Sequence, residues 1–288
     1  MKRSRSDSST AKHYANLAGV EVGDGFPVRI LGAINVSPES FYGGSVARGR
    51  RALQRLAQRM VAEGADVLDV GAMSTAPYMR GTIDEAEERR RMTVAVRAVR
   101  AAVDVPISAD TQRSAVAAAA LDAGASIIND VSGLRHDAAM GAVAHAAAGV
   151  VLMAAEHGPS RQPPLAMIAA LLRACLGRAG SARIPLTRIV LDPGIGFFRQ
   201  AAVPWHELDC HVLDKLAQLR RLRRPLLVGV SRKSFIGKLT GQTHPDARLF
   251  GSLAATAIAV YNGAAIIRTH DVAPTVEAVR IAEAIRAR

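Results

Sequence analysis

Residues 105–131 read VPISADTQRSAVAAAALDAGASIINDV, and this stretch contains one complete unit of the repeat that determines the fold. A short apolar run, Val105–Asp110, ends in a polar residue, and an alanine-rich helical stretch, Gln112–Ala123, follows it. Gly124, which can end a helix, then precedes a second apolar run, Ser126–Val131. Such short and nearly continuous apolar runs are typical of parallel strands that are buried on both faces.

The same unit recurs along the whole chain and predicts the fold class. The eight apolar runs are Val28–Val36, Ala65–Ala72, Val105–Asp110, Ser126–Val131, Gly149–Ala155, Ile189–Asp192, Pro225–Ser231 and Ala264–His270. Eight alternating β and α units predict an α/β protein with a (β/α)8 TIM barrel, forming a single domain over residues 26–288. Residues 1–25 are predicted to be a disordered or mobile N-terminal tail. The alternative is an open doubly wound sheet, but the glycine-rich phosphate loop typical of that fold is missing after the first run.

Composition limits the class of protein further. The chain has 288 residues, of which 49% are hydrophobic and 22% charged, so it can bury a large core. Its two cysteines, Cys175 and Cys210, are too few for a disulfide framework and lack the spacing of a metal site. No apolar run approaches the ~18 residues of a membrane span, and the opening MKRSRSDSST lacks the apolar stretch of a secretory signal. We therefore expect a cytoplasmic protein without a membrane partner.

The net charge of +12 raises the question of a nucleic-acid partner. Arginines are scattered along the helical stretches, and aromatic residues make up only 4% of the chain, which argues against stacking on bases. The basic balance is therefore interpreted as background composition, and no nucleic-acid partner is expected.

Polar residues at the ends of the predicted strands indicate where the functional site lies. In a TIM barrel the catalytic groups come from the carboxyl ends of the strands, where the βα loops meet. These ends carry Asn35, Asp69, Asp110 with Thr111, Asn129 with Asp130, Glu156 with His157, Asp192, Ser231 to Lys233, and Arg268 with His270 and Asp271. Each residue alone is more often a helix N-cap, but together at one mouth they predict a polar binding site.

The chemistry of this set favours a flat heterocycle with an anionic tail. Carboxylate and amide groups of Asp110, Asn129 and Asp192 suit a ring with donor nitrogens and a carbonyl, such as a pterin or a purine. Lys233 can donate to the same ring. An anion such as a diphosphate can be bound by basic and amide side chains, with Mg²⁺ accompanying the phosphates. The residues expected to do this are Asn35, Arg268 and His270.

With these residues in view, the sequence resembles the dihydropteroate synthase family from Ile30 to the C-terminus. The segments that carry the resemblance are LGAINVSPESF (31–41), GADVLDVGAMSTAP (64–77), PISADT (106–111), GASIINDVSG (124–133), LDPGIGF (191–197), LVGVSRKSFIG (227–237), RLFGSL (248–253) and IRTHDV (267–272). The resemblance implies a transferase of folate biosynthesis. It would condense 6-hydroxymethyl-7,8-dihydropterin diphosphate with p-aminobenzoate and release diphosphate.

The resemblance also implies a role for each matching residue. Asp110, Asn129, Asp192 and Lys233 would bind the pterin; Arg268, His270 and the metal ligand Asn35 would hold Mg²⁺ and diphosphate; Thr75, Ser234, Met153 and Phe197 complete the substrate site. Asp110, Lys233, Arg268 and His270 are the expected catalytic residues. Family members are usually homodimers, so a homodimer is expected here.

The sequence departs from the family pattern on the loops of the arylamine side. The pattern S-T-R-P is Ser74-Thr75-Ala76-Pro77, so an arginine is missing, and Arg80 is a candidate substitute. The pattern F-G-K is Phe197-Phe198-Arg199, which predicts a bulky ring beside the arylamine. Glu39 replaces an aspartate, and Glu156 follows the fifth strand where the pattern has Met-His.

These departures leave three hypotheses open. The first is a working dihydropteroate synthase with variant loops. The second is a related pterin transferase with another arylamine acceptor, of the type used in tetrahydromethanopterin synthesis, which would turn over p-aminobenzoate weakly. The third is a non-catalytic pterin-binding paralogue, which would bind the pterin and release no diphosphate with any arylamine.

Overall fold

The fold is built around an eight-stranded parallel sheet. The structure is a computed structural model, and it describes residues 13–36, 49–73, 83–156 and 158–287 of the chain. The strands are β1 (Tyr14–Leu17), β2 (Val20–Gly23), β3 (Arg29–Asn35), β4 (Val67–Gly71), β5 (Ile107–Asp110), β6 (Ile127–Asp130), β7 (Gly149–Met153), β8 (Ile189–Asp192), β9 (Leu227–Val228) and β10 (Ile266–Thr269). The helices are α1 (Arg50–Ala62), α2 (Glu85–Arg100), α3 (Ser114–Asp122), α4 (Met140–Ala146), α5 (Pro164–Ser181), α6 (Trp205–Asp214), α7 (Ser234–Thr240), α8 (Leu249–Tyr261) and α9 (Val272–Arg286). In these ranges no helix has both the length and the apolar character needed to cross a membrane.

The order of the strands confirms the predicted barrel. The large sheet runs β8-β7-β6-β5-β4-β3-β10-β9, and every pairing in it is parallel. The two edges meet where Leu191 forms a parallel bridge with Leu226 and its backbone N–H donates to the carbonyl of Pro225 at 3.0 Å. Each of the eight apolar runs that were predicted to be strands contains one strand of this sheet. The strand β9 is much shorter than the run 225–231 that predicts it.

The helices surround the barrel and bury their apolar faces against it. The largest apolar cluster lies between the sheet and the helices and includes Met92, Ile128, Leu152 and Leu172, all fully buried. Gly124, which has a φ of +112°, ends α3 and turns the chain into β6, as its position in the sequence predicts.

A second apolar cluster fills the inside of the barrel near the amino ends of its strands. Its strand members are Leu31, Val67, Ile127, Val151, Val190, Leu227 and Ile266. Because side chains alternate between the two faces of a strand, one residue from each of these seven strands points inward at this level. The inside of the barrel is therefore a packed core at this end.

A β-hairpin covers the same end, and it corrects the prediction of a mobile tail. β1 and β2 pair in antiparallel fashion, and Ala15, Leu17 and Val22 are completely buried against the inner cluster. A side chain at Gly149 would begin 2.7 Å from Leu17 Cδ2, so this glycine makes room for the hairpin. The tail prediction is wrong for residues 13–25 because alternating apolar residues give the segment a buried face; residues 1–12 lie outside the described ranges.

Candidate active site

The polar end of the barrel begins two residues beyond the apolar inner cluster. Steps of two residues keep a side chain on the same face of a strand and move it about 6–7 Å along the axis. From Val67, Ile127, Val151, Val190 and Ile266, this step leads to Asp69, Asn129, Met153, Asp192 and Arg268. The alternation of β-strands therefore places the polar residues of one strand end after another around a common mouth.

Arg268 connects two carboxylates across the mouth. Its Nε donates to Asp69 Oδ2 at 2.7 Å and its Nη2 donates to Asp110 Oδ2 at 3.0 Å, so β10 is bonded to both β4 and β5. Asn129 on β6 adds an amide N–H that points at Asp69 Oδ2, 3.2 Å away. The structure thus brings together the predicted residues Asp110, Asn129 and Arg268. Asp69, a strand-end residue to which the family resemblance assigns no role, lies between them with no solvent exposure.

Asp110 retains binding capacity within this network. Its Oδ1 is buried and has no hydrogen-bond partner among the described residues. Burial, and then the nearby Asp69 carboxylate, raise the pKa of Asp110 to about 7. A buried acceptor of this kind favours a ligand that brings an N–H donor or a positive charge to it.

Asp192 and Lys233 form the opposite side of the mouth. Burial raises the pKa of Asp192 to about 6, and its Oδ1 accepts a hydrogen bond from the backbone N–H of Gly194 at 2.7 Å. Burial lowers the pKa of Lys233 to about 8, although the charge of Asp192 favours its protonated form. Lys233 Nζ lies 4.2 Å from the centre of the Phe197 ring, so these two predicted residues are in contact.

The side chain of Lys233 packs against the loop that contains Gly196, and Asp209 accepts a hydrogen bond from that loop. A side chain at Gly196 would begin 2.9 Å from Lys233 Cδ, so the stem of the lysine packs directly on the Gly196 backbone. The N–H of Gly196 donates to Asp209 Oδ1 at 2.7 Å. Burial raises the pKa of Asp209 to about 6, and its charge in turn favours protonated Lys233. Sequence reasoning missed Asp209 because it lies inside α6, away from any strand end.

His270 and Asn35 lie together at the mouth, as predicted. His270 Nε2 is 3.4 Å from Asn35 Nδ2, and His270 Nδ1 is 3.0 Å from Ser231 Oγ. Burial, together with the positive charges of Arg268, Arg232 and Lys233, lowers the pKa of His270 to about 3. His270 is therefore a neutral hydrogen-bonding group at neutral pH and adds no positive charge of its own.

The side of the mouth that is predicted to bind the arylamine contains Ser234 and the loop that follows Phe197. Arg199 Nη2 donates to Ser234 Oγ at 2.8 Å, and the Arg199 guanidinium lies 4.1 Å from the centre of the Trp205 ring. The Phe198 ring is only 1% exposed and packs in the hydrophobic core, and its predicted place beside the arylamine stays a prediction. The remaining predicted or variant residues of this side, Thr75, Ala76, Arg80, Glu39 and His157, lie outside the described ranges.

Several other polar residues at the strand ends have structural roles. Asp130 accepts backbone N–H bonds from Ser132 and Leu134, both at 2.7 Å. Arg232 forms a bidentate pair with Asp271, with N···O distances of 2.7 and 2.8 Å. Both groups therefore have local structural partners, although neither contact is the helix N-cap that is expected for a lone strand-end residue.

The described part of the chain offers a metal ion few protein ligands. No group of three or more His, Cys, Asp or Glu side chains there is arranged to hold one. Asn35 Oδ1 and Asp110 Oδ2 both lie close to Gly71, 3.4 Å and 3.7 Å from the point where its side chain would begin. Oxygen donors of this kind suit a hard cation that keeps most of its ligands from water or phosphate.

Comparison with known proteins identifies what the chain is similar to. Residues 31–270 match the model of the pterin-binding enzyme family. The chain is 36% identical to the dihydropteroate synthase of a Synechocystis species over 265 residues, 89% of each chain. It superposes with a TM-score of 0.84 at 34% identity on a Coxiella burnetii dihydropteroate synthase in complex with pteroic acid, covering 96% of this chain and 99% of that one. It also superposes with a TM-score of 0.84 at 34% identity on the Xanthomonas albilineans dihydropteroate synthase with 4-aminobenzoic acid, covering 96% and 98%.

Proposed function

We propose that this chain, which belongs to the dihydropteroate synthase family and is a transferase of folate biosynthesis, condenses 6-hydroxymethyl-7,8-dihydropterin diphosphate with p-aminobenzoate and releases diphosphate. The observation that carries the proposal is the buried Asp110 carboxylate, which Arg268 fixes through one oxygen and which leaves the other oxygen without a partner among the described residues. Solved relatives with pteroic acid and with 4-aminobenzoic acid support the same pair of substrates.

The pterin is bound by the inward-facing polar residues. Asp110 and Asp192 accept N–H bonds from the ring edge, Asn129 offers one donor and one acceptor, and Lys233 donates to the ring carbonyl or a ring nitrogen. Because the pKa values of both carboxyls are raised, a ligand that brings donors restores the ionised forms that burial disfavours. Binding the pterin therefore also prepares Asp110 to stabilise positive charge on the pterin.

The reaction itself requires stabilisation of separating charges. The arylamine nitrogen forms a bond to the pterin methylene carbon while the bond from that carbon to the diphosphate oxygen breaks, with its electron pair leaving on diphosphate. The nitrogen then loses a proton to solvent. The aromatic amine needs no strong base for its attack, since its lone pair is already available. Asp110 stabilises the positive methylene end, and Arg268 and His270 bind the anionic end.

Asn35 is the protein ligand that we assign to Mg²⁺. Its carbonyl oxygen and the Asp110 carboxylate flank the same glycine, and together they suit a cation that takes its other ligands from diphosphate and water. When bound, Mg²⁺ neutralises charge on the leaving diphosphate. Arg268 and His270 hold the diphosphate through N–H donors.

The arylamine lies between Phe197 and the Ser234 hydroxyl, with Thr75 and Met153 as further lining residues. Phe197 contacts Lys233 through its ring face, so the pterin and arylamine subsites share a wall. This arrangement places the attacking nitrogen next to the pterin methylene.

The test is a measurement of diphosphate release against a panel of arylamines, with pterin diphosphate binding measured separately by calorimetry. We expect turnover with p-aminobenzoate, and we expect Lys233→Ala to weaken pterin binding by about 1–3 kcal/mol because its buried partners lose their donor. Turnover restricted to other arylamines would support the tetrahydromethanopterin-type alternative. Pterin binding without diphosphate release for any arylamine would refute the transferase proposal in favour of the non-catalytic paralogue.

A homodimer in the cytoplasm is the assembly that we assign to this enzyme. Large apolar side chains of α8 and α9 are exposed: Phe250 is 82% exposed, and Ile258, Tyr261, Ile281 and Ile285 are each more than half exposed. Exposed apolar surface of this extent favours association, and a second copy of the chain is the occupant that the family resemblance implies. Light scattering should give twice the chain mass, and Phe250→Glu should give a monomer that binds pterin normally; a wild-type monomer would contradict the assignment.

A further inference from the structure

The backbone pairing between β9 and β10 ends before it reaches the mouth of the barrel. It consists of two residue pairs, and its last members are Val228 and Ile267. The mouth residues Lys233 and His270 come later in the two segments that leave these strands. This ladder therefore does not reach Lys233 or His270, and other contacts must align the two residues.

Side chains continue the pairing where the ladder stops. Ser231 Oγ lies 3.0 Å from His270 Nδ1 and accepts the backbone N–H of His270 at 3.3 Å. One residue further along both segments, Arg232 Nε donates to Asp271 Oδ2 at 2.8 Å and Arg232 Nη2 donates to Asp271 Oδ1 at 2.7 Å. The Arg232 side chain is only 5% exposed, so solvent screens the ion pair little. The pair joins the segment after β9 to the start of α9.

Arg232 is also bonded to the segment that precedes α8 and to α8 itself. Its Nη1 donates to the carbonyls of Pro245 and Asp246, at 2.9 and 2.8 Å. Its backbone N–H donates to Ser252 Oγ at 2.8 Å, and its carbonyl accepts a bond from Arg248 Nη1 at 3.1 Å. Both the backbone and the side chain of this residue are therefore fixed.

Two unfavourable local conformations accompany the Arg232–Asp271 pair. Arg232 has a φ of +56°, in a turn that the Lys233 N–H closes by donating to the Val230 carbonyl at 3.2 Å. Glycine or asparagine is usual at such a position, because a positive φ is unfavourable for other residues. Asp271 stands at the N-cap of α9, but its carboxylate makes no capping bond there. Strain of this kind persists where surrounding contacts fix it, and it is common at functional sites.

We propose that Arg232, through its pair with Asp271, is a positioning residue that aligns Lys233 with His270. The inference rests on the proposed function, in which Lys233 binds the pterin and His270 binds the diphosphate. Arg232 immediately precedes Lys233, and Asp271 immediately follows His270, so each member of the pair is covalently linked to the residue that it positions. The pair thereby sets the distance between the pterin-binding and diphosphate-binding groups.

The experiment is a double-mutant cycle of Arg232→Gln, Asp271→Asn and the double variant. Calorimetry measures binding of the pterin diphosphate, diphosphate release gives kcat/KM, and denaturant gives the free energy of unfolding. Each single variant should weaken pterin binding and lower kcat/KM about 10- to 100-fold, because a misplacement of about 1 Å can cause such a loss. The double variant should be about as active as the single variants, since the pair acts as a unit. It should be more stable than Arg232→Gln, since no carboxylate is left without its cation.

Two further variants serve as controls. Arg232→Gly distinguishes the side chain from the turn, because glycine adopts a positive φ without strain. It should lose activity as Arg232→Gln does, and wild-type activity would show that only the turn matters and would overturn the inference. The matched control is Arg29→Gln at the amino end of the barrel, which breaks a pair with Asp66 at 3.3 Å and a bond to the Glu21 carbonyl at 2.9 Å. It should leave pterin binding and kcat/KM within about twofold of wild type.

The outcomes separate this inference from the proposed function. If the single variants lose only stability, while the folded proteins keep wild-type pterin binding and kcat/KM, the pair is purely structural and the inference is overturned. If wild-type protein binds the pterin diphosphate but releases no diphosphate with any arylamine, the transferase proposal fails. Binding then decides the inference alone: weaker binding in both single variants supports it, and unchanged binding overturns it. Arg232→Lys, which keeps the charge, takes the place of Arg232→Gln if the latter does not fold, and it should lose less activity.

Discussion

The two ends of the barrel are made from the same strands but have opposite chemistry. At the amino ends, Leu31, Ile127 and Ile266 pack against the buried hairpin residues Ala15 and Leu17. Two residues further along three of the neighbouring strands, Asp69, Asn129 and Arg268 form a hydrogen-bonded polar network, in which Asp69 has no exposure to solvent. Apolar burial stabilises the fold at one end, whereas burial of the carboxylates at the other end costs stability that their pairing with Arg268 offsets.

The comparison teaches that stability and function are separated along the barrel axis. Substitutions at the apolar end should change the free energy of unfolding and leave the activity per folded molecule unaltered. Substitutions at the mouth should change activity first, and they should change stability only where a buried charge loses its partner.

The largest effect is expected for Arg268→Met. The substitution leaves Asp69 and Asp110 as buried carboxylates without their cation, so the free energy of unfolding should fall by about 3–5 kcal/mol. The value of kcat/KM should fall by about 10²- to 10³-fold, because the diphosphate also loses the donor that we propose for it. Denaturant unfolding and steady-state kinetics measure the two effects. Retention of activity would show that the two ends differ less than we infer.

Leu17→Ala should have the next largest effect, and only on stability. Removing a completely buried leucine side chain leaves a cavity and typically costs about 2–5 kcal/mol. The value of kcat per folded molecule should stay within about twofold of wild type, as kinetics below the unfolding temperature can measure. A large loss of kcat in the folded variant would mean that the two ends are coupled.

Asp209→Asn should have a smaller effect that depends on pH. In wild type, kcat/KM should rise as Asp192 and Asp110 ionise, with pKa values of about 6 and 7, and fall as Lys233 loses its proton near pH 8. The asparagine keeps an acceptor for Gly196 but removes a negative charge that favours protonated Lys233. The alkaline fall should therefore move to lower pH, with a loss of about tenfold or less near pH 7.

Asp209→Leu is the companion variant for that experiment, because it also removes the bond to Gly196. It should reduce kcat/KM at every pH and should be more destabilising than the asparagine. An alkaline limb that stays in place in Asp209→Asn would rule out electrostatic support of Lys233 by Asp209.

The smallest effect is expected for Asp24→Asn, beside the hairpin. Asp24 pairs with His13 at 2.6 Å and with Arg220 at 2.7 Å, but its side chain is 43% exposed. Solvent screens such pairs, so the free energy of unfolding should fall by less than about 1 kcal/mol, with no change in activity. A loss comparable with that of Leu17→Ala would show that polar contacts, and not apolar packing, hold the hairpin in place.

Much of the barrel and its mouth follows from the sequence because both depend on local periodicity. The apolar runs predict buried parallel strands, and the rule that strand ends meet at one face predicts the convergence of residues such as Asp110, Asn129 and Arg268. The role that the family resemblance implies for each residue stays a prediction.

The features that were missed depend on contacts between distant segments. Asp209 supports Lys233 through a glycine 13 residues upstream of the aspartate, and no periodicity marks such a bond. Phe198 replaces the glycine of the family pattern, and its burial in the core could not be predicted from that position alone, since consecutive residues need not point the same way. The sequence does contain a pattern for the hairpin, since Ala15, Leu17 and Val22 alternate with polar residues on either side of a turn at Gly19. The basic and polar segment that precedes it made the whole N-terminal region resemble a tail.

The covering hairpin also sets an order of events in folding. Its two strands are adjacent in sequence and can pair within microseconds, but the surface that receives them includes residues from Leu31 to Ile266 and exists only once the barrel has assembled. Docking of Leu17 is therefore a late step. Substitutions that weaken the packing of the hairpin should accelerate unfolding and leave the refolding rate nearly unchanged. The hairpin therefore slows the unfolding of the assembled barrel.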